Sequence, residues 1–223
     1  MDNNLDSNLQ KLSNCSINNC ENDVYEGYSE CVLHCPKNSY GQDWQWLAPS
    51  FYEEFKKYIV DFFSKHSFLI DGRITKEEMK TYLDGEDYND LEYNNIFKEL
   101  RLMPTHIVFP DRNSGDYFDY LKILNLFGEI HFSYCEFYIG NLDLKDTKVF
   151  FQDCKFHKSW NLLDYKILDN VYNAIYLDCT FNDDVFNDSS VRNNEPYDLN
   201  ANQFNAYCTF NKNITLYNVH ING

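Results

Sequence analysis

Four residues near the N-terminus carry the side chains best suited to chemistry. Cys15 and Cys20 are separated by four residues, Cys31 and His34 by two, and ten residues lie between the pairs. Thiolate sulfur and imidazole nitrogen are the donors that Zn2+ takes in a tetrahedron, and two short ligand pairs joined by a tight turn produce that geometry. The expected ligands are therefore Cys15, Cys20, Cys31 and His34. Cys35 directly follows His34 and is within reach of the same turn, so it is the alternative fourth ligand. Residues 13–43 hold few core-forming side chains, and metal binding would supply the folding free energy they lack. Four protein ligands leave no open position for water or substrate, so the expected site is structural.

The spacing resembles the small C-x4-C/C-x2-H zinc motifs attached to many unrelated domains. The chemistry of the compartment points the same way. The first residues, Met1-Asp2-Asn3-Asn4, form no basic, apolar leader, so a reducing cytoplasm is expected, where clustered cysteines favour metal over disulfide.

The remaining cysteines, Cys135, Cys154, Cys179 and Cys208, are far apart, and each is followed two residues later by phenylalanine: Phe137, Phe156, Phe181 and Phe210. Large apolar residues also recur in steps of five, at Phe132, Phe137 and Leu142, at Phe151 and Phe156, and at Tyr176, Phe181 and Phe186. A helix repeats at 3.6 and a half-buried strand at 2, so neither explains this period. A coil that turns a corner every five residues does, with a small residue two positions before each large one. Cysteine is small and buries well, so these thiols are expected in the core. His131, His157 and His220 flank these positions without a shared spacing and are expected to face solvent.

On these residues the chain, over about 128–223, resembles the pentapeptide-repeat proteins. That resemblance implies a mainly β fold, a right-handed quadrilateral β-helix. Thr147 and Asn205 depart from the pattern, and residues 187–202, rich in Asn, Asp and Ser, read as an interrupting loop.

The elements that must position the metal ligands lie between. Apolar residues at 51, 55, 58, 59, 62 and 63 mark a helical stripe, with Ser50 as its expected N-cap. Thr75 followed by Glu78 is a second capping-box signal, a third helix is expected over 90–102, and Ile107-Val108-Phe109 reads as a short strand. Residues 116–127 read as a short helix. Residues 67–78 partly match a calcium loop, but Ser67 and Leu69 stand where carboxylates belong, and a Gly72 turn before a Thr75-capped helix explains the same letters. The expected organisation is a disordered tail over 1–12, a zinc knuckle over 13–43, a mainly helical capping segment over 44–127 and the β-helix over 128–223.

The 223 residues carry 35 acids against 19 bases, a net charge of −16. The deficit is spread along the chain, and no segment has the basic face that binds nucleic acid or anionic lipid. No apolar run is long enough to span a bilayer. Walker, G-x-G-x-x-G and G-x-S-x-G signatures are missing from the sequence. The function expected is that of a non-enzymatic scaffold with a protein partner and a structural Zn2+. Two alternatives compete. The repeat resemblance implies an acidic nucleic-acid mimic that binds a DNA-handling enzyme such as gyrase. The run of solenoid-like sequence to Gly223 fits an accessory domain of a longer protein, or an end covered by a partner or a second copy.

Overall fold

The structure, a computed structural model, describes residues 14–25, 27–37, 40–85, 88–111, 118–144, 146–162, 164–167, 170–186, 197–200, 204–205, 207–216 and 219–222. The tail expected over 1–12 lies outside them.

Helix α1 runs Tyr40–Lys65, longer than the stripe predicted. Ser50 is inside it rather than at its cap, because Pro49 is accommodated and the helix begins a full ten residues earlier. Helix α2, Lys76–Asp84, starts as the sequence signals: the Thr75 side chain accepts from the Glu78 amide and the Glu78 carboxylate accepts from the Thr75 amide. Glu78 is thus occupied as a capping residue, and Gly72 takes a left-handed turn at φ 70°, which together account for the calcium-like letters. Helix α3, Leu91–Glu99, is capped by the Asp90 carboxylate, which accepts from the amides of Glu92 and Tyr93. It stops short of 102 because Arg101 and Leu102 pair as a strand. Helix α4 is the short Tyr120–Leu124.

The strands are β1 (Arg101–Leu102), β2 (Val108–Phe109), β3 (Glu129–Ser133), β4 (Glu136–Phe137), β5 (Lys148–Gln152), β6 (Lys155–Phe156), β7 (Trp160–Asn161), β8 (Asp164–Ile167), β9 (Asn170–Asn173), β10 (Ile175–Leu177), β11 (Thr180–Phe181), β12 (Val185–Phe186), β13 (Tyr197–Asn200), β14 (Phe204–Asn205), β15 (Thr209–Phe210), β16 (Ile214–Thr215) and β17 (Val219–Asn222). They form three main parallel sheets, ordered β1-β3-β5-β10-β14, β15-β11-β6-β4-β2 and β16-β12-β7. An antiparallel pair β8-β9 and a parallel pair β13-β17 complete the pairing. Strand β13 falls within the stretch read as a loop over 187–202.

This corrects the expected mainly β, right-handed quadrilateral β-helix. The protein is an α/β mix of four helices and parallel sheets of five, five and three strands, and among the described residues no closed solenoid is found. The physical reason lies in the register. A four-cornered coil needs about twenty residues per turn. Here Glu129 pairs with Lys148, but Arg101 with Glu129, Ile175 with Phe150 and Tyr176 with Phe204. The wider spacings make room for other structure: α4 between β2 and β3, and the β8-β9 pair between β7 and β10. Strands β1 and β2 precede residue 128 and still belong to the same sheets as β3 and β4.

The core follows from in-register parallel pairing, which places like residues about 4.8 Å apart on neighbouring strands. Phe109, Phe137, Phe156, Phe181 and Phe210 form one stack, with centroid separations of 5.1, 5.1, 4.6 and 4.9 Å and near-parallel rings. Phe132, Phe151, Tyr176 and Phe204 form a second. The two stacks meet edge to face, as in Phe132–Phe137 and Phe137–Phe151. Trp160 fills the space beside them, and its indole N–H donates to the Tyr176 hydroxyl at 2.8 Å. Helix α1 seals the first strands: Phe51 and Phe55 pack edge-on against Phe109.

Candidate metal centre

The knuckle begins with a short antiparallel bridge between Asn14 and Asp23. The Cys15 amide donates to the Asn22 carbonyl at 2.9 Å, which returns the chain and brings Cys20 back beside Cys15. Asn19 stands at φ 64° in this turn, a left-handed conformation that asparagine tolerates better than most residues. The second half is a tight turn in which the amides of His34 and Cys35 both donate to the Cys31 carbonyl, at 3.0 and 2.9 Å. That turn projects Cys31 and His34 to one side. The Cys31 amide also donates to the Cys15 sulfur at 3.2 Å.

The result is one compact donor set. The Sγ atoms of Cys15, Cys20 and Cys31 and a ring nitrogen of His34 all lie within 4.8 Å of one another. Cys15 Sγ and Cys31 Sγ are each 3.3 Å from His34 Nδ1, and Cys20 Sγ is 3.7 Å from Cys31 Sγ. Zinc–sulfur bonds of about 2.3 Å and zinc–nitrogen bonds of about 2.0 Å imply tetrahedral edges of about 3.8 Å (S–S) and about 3.6 Å (S–N). These residues therefore lie close enough to hold a metal ion, and their chemistry suits a borderline-soft one. Among the described residues no second cluster of three or more such donors occurs.

Burial pushes the Cys20 thiol up to about 12, with the neighbouring Cys31 sulfur adding to it, and burial raises the Cys31 thiol as well. Burial, then the charges of Lys37 and His106, hold the His34 imidazole down to about 4. The neutral imidazole is the form that would hold a metal ion, and the three cysteines would hold it as thiolates after giving up their protons.

Cys35 is not in the cluster. Its sulfur lies 3.3 Å from the Lys37 ammonium, which donates to it, and 3.8 Å from the Val32 carbonyl. Lys37 is the residue that spacing did not single out. It is 2 % exposed, yet its ammonium donates to the Val32 carbonyl at 3.0 Å and to the Cys35 carbonyl, and it sits over the Phe51 ring. It ties the carbonyls of the ligand-bearing turn to α1. A single lysine after Cys35-Pro36 carries no sequence signal for that role.

The other cysteines are core thiols. Cys135, Cys154 and Cys179 are buried, and Cys208 is half-buried. Each lies within 3.6 Å of a carbonyl on the preceding row, Pro104, Phe132, Phe151 and Tyr176 respectively, positioned to donate to it. His131 and His157 do not simply face solvent, as expected. Each is half-buried, His131 against Glu129 at 2.6 Å and His157 against Glu136 at 2.8 Å. The His220 side chain lies outside the described residues.

Beside Cys31 runs a groove of about 660 Å³ between the knuckle and α1. Its charged lining is Glu21, Asp23, Glu53, Glu54 and Lys57, four acids to one base. Among the described residues no helix is long and apolar enough to cross a membrane. Comparison of the chain with protein-family models, with curated proteins and with solved structures returns no match.

Proposed function

We propose that this chain is a non-enzymatic scaffold whose N-terminal knuckle is closed by a structural Zn2+ and offers an acidic groove to a protein partner. The observation that carries the reading is the single donor set of Cys15, Cys20, Cys31 and His34 within 4.8 Å. When bound, the ion would supply cross-linking of the two halves of the knuckle, and no substrate chemistry, since four protein donors complete its tetrahedron. The groove next to Cys31 supports the second part. Its excess of carboxylates suits a basic peptide segment and repels nucleic acid.

The test is native mass spectrometry of protein purified without added metal, followed by chelation. One zinc per chain, with loss of heat stability on its removal, supports the structural role. A metal-free protein of unchanged stability would defeat it. For the groove, a basic peptide should bind the zinc-loaded protein, and Glu53→Lys with Glu54→Lys should abolish that binding. Unchanged binding would reject the groove while leaving the metal site standing.

A further inference from the structure

A second concave site, separate from the metal centre, lies between α2 and α3. It is an open concavity of about 500 Å³, within the range of small-ligand pockets. Its walls are the rings of Tyr82, Tyr88 and Tyr93, and its charged lining residues are Glu77, Glu78 and Asp90, with no base among them.

Two of the rings are held by hydrogen bonds of their hydroxyls, and the third packs on Tyr82. The Tyr82 hydroxyl donates to Asn94 Oδ1 at 2.8 Å, and the same Asn94 amide donates to the Tyr88 carbonyl at 2.9 Å. The Tyr88 hydroxyl donates to the Leu83 carbonyl at 3.2 Å and lies 2.8 Å from the Tyr52 hydroxyl. Tyr88 itself is held at φ 43°, a conformation unusual for a bulky residue, and that network is what holds it there. The ring planes of Tyr88 and Tyr93 stand at 63° and 39° to that of Tyr82, so the walls face in different directions. Preorganised walls reduce the entropic cost of binding.

The chemistry of these walls selects a ligand class. Aromatic faces attract cations through the ring quadrupole. The acids reinforce this, but two of them are already committed as hydrogen-bond acceptors: Glu78 from the Thr75 amide and Asp90 from the amides of Glu92 and Tyr93. The tyrosine hydroxyls of Tyr82 and Tyr88 are committed as donors. The site therefore offers negative potential and π-faces together. A primary ammonium is a compact, strongly hydrated charge that loses much on leaving water for ring faces, whereas a methylated ammonium has no N–H to strip of water.

We propose that the Tyr82–Tyr88–Tyr93 pocket binds a quaternary ammonium group, as carried by choline or by a trimethyl-lysine side chain. The surroundings agree: burial and then the charges of Glu78, Asp90 and Glu92 raise the Tyr93 phenol above its usual range. This site does not depend on the metal centre.

The test is an NMR titration of the zinc-loaded full chain, following tyrosine ring and backbone signals. The probes are choline, its neutral isostere 3,3-dimethylbutan-1-ol, and a peptide with one trimethyl-lysine. Choline should shift signals of residues 77–93 and bind about tenfold more tightly than the isostere, the size of one well-placed cation–π contact with its reinforcing charge. Tyr93→Ala should lose that discrimination. Glu77→Gln, at an exposed position whose change leaves the core intact, should weaken choline but not the isostere. A peptide that binds more tightly than choline assigns the group to a protein tail, and equal binding assigns it to a free small molecule; both uphold the site. Equal binding of choline and isostere, shifts that map elsewhere, or no shifts at all would overturn it.

Discussion

The Val108 amide donates to the Leu33 carbonyl at 2.8 Å. This bond joins the ligand-bearing turn, next to His34, to strand β2, which is the outer strand of its five-stranded sheet. An outer strand presents unpaired backbone groups that invite non-native pairing. The knuckle covers part of that edge, so the order of the turn that carries Cys31 and His34 and the integrity of the first strand are linked. Chelation of the metal should therefore expose the Val108 amide to hydrogen exchange, while the amides of β11, at the far side of the sheet, keep their protection. Exchange at Val108 that ignores the chelator would break this link.

Thiol labelling should divide the eight cysteines. Burial raises the Cys154 thiol well above its ordinary range, and the contact with Cys154, then burial, pushes Cys179 up to about 12. The thiolate is the reactive form. Cys135, Cys154 and Cys179 should resist iodoacetamide in the native protein with or without chelator. Cys15, Cys20 and Cys31 should become reactive only after chelation, because a knuckle that loses the cross-linking ion opens and its thiols lose the burial that holds them protonated, read by peptide mapping. Knuckle thiols that label equally fast before and after chelation would contradict metal protection.

The aromatic stacks should dominate stability. Phe156 is fully buried between Phe137 and Phe181, with Trp160 4.4 Å away. Phe156→Ala should cost ~3–5 kcal/mol in denaturant unfolding. A loss below about 1 kcal/mol would place the ring outside the core. Tyr176→Phe keeps the ring but removes the partner of the buried Trp160 N–H, and should cost about 1–3 kcal/mol.

Acid should weaken the protein through Glu136. The hydrogen bond from His157, then that from Lys155, holds its carboxyl down to about 2. The folded value lies below the unfolded one, so the unfolded state takes up the proton first. The contribution is complete above the ordinary carboxylate range and is lost as pH falls toward 2. Glu136→Gln should flatten the stability profile between about pH 4.5 and 2. An unchanged slope would mean that other carboxylates carry it.

The donor cluster of Cys15, Cys20, Cys31 and His34 was legible because it depends on residue type and short spacing, and both pairs sit in local turns. That His34 and not Cys35 joins the cluster was not legible, since the Cys35 sulfur instead accepts from Lys37, a contact that no spacing rule encodes. The Thr75–Glu78 cap and the burial of the Cys-x-Phe residues were also legible, being local pattern and size. The architecture was not. A period of five in one stretch says nothing of the lengths inserted between strands, and those lengths fix which residues pair. Thr147 shows the same limit from the other side: it breaks the apolar period, yet it is buried with its hydroxyl donating to the Phe127 carbonyl at 2.8 Å. Gly128 is a third case, invisible in sequence, where a Cβ would run into the Lys98 carbonyl.

The most direct measurement is zinc content by native mass spectrometry across four chains: the parent, Cys15→Ser, Cys31→Ser and Cys35→Ser. The account predicts about one zinc per parent chain, its loss in Cys15→Ser and Cys31→Ser, and its retention in Cys35→Ser. Full occupancy in Cys31→Ser, or loss in Cys35→Ser, would contradict the centre formed by Cys15, Cys20, Cys31 and His34.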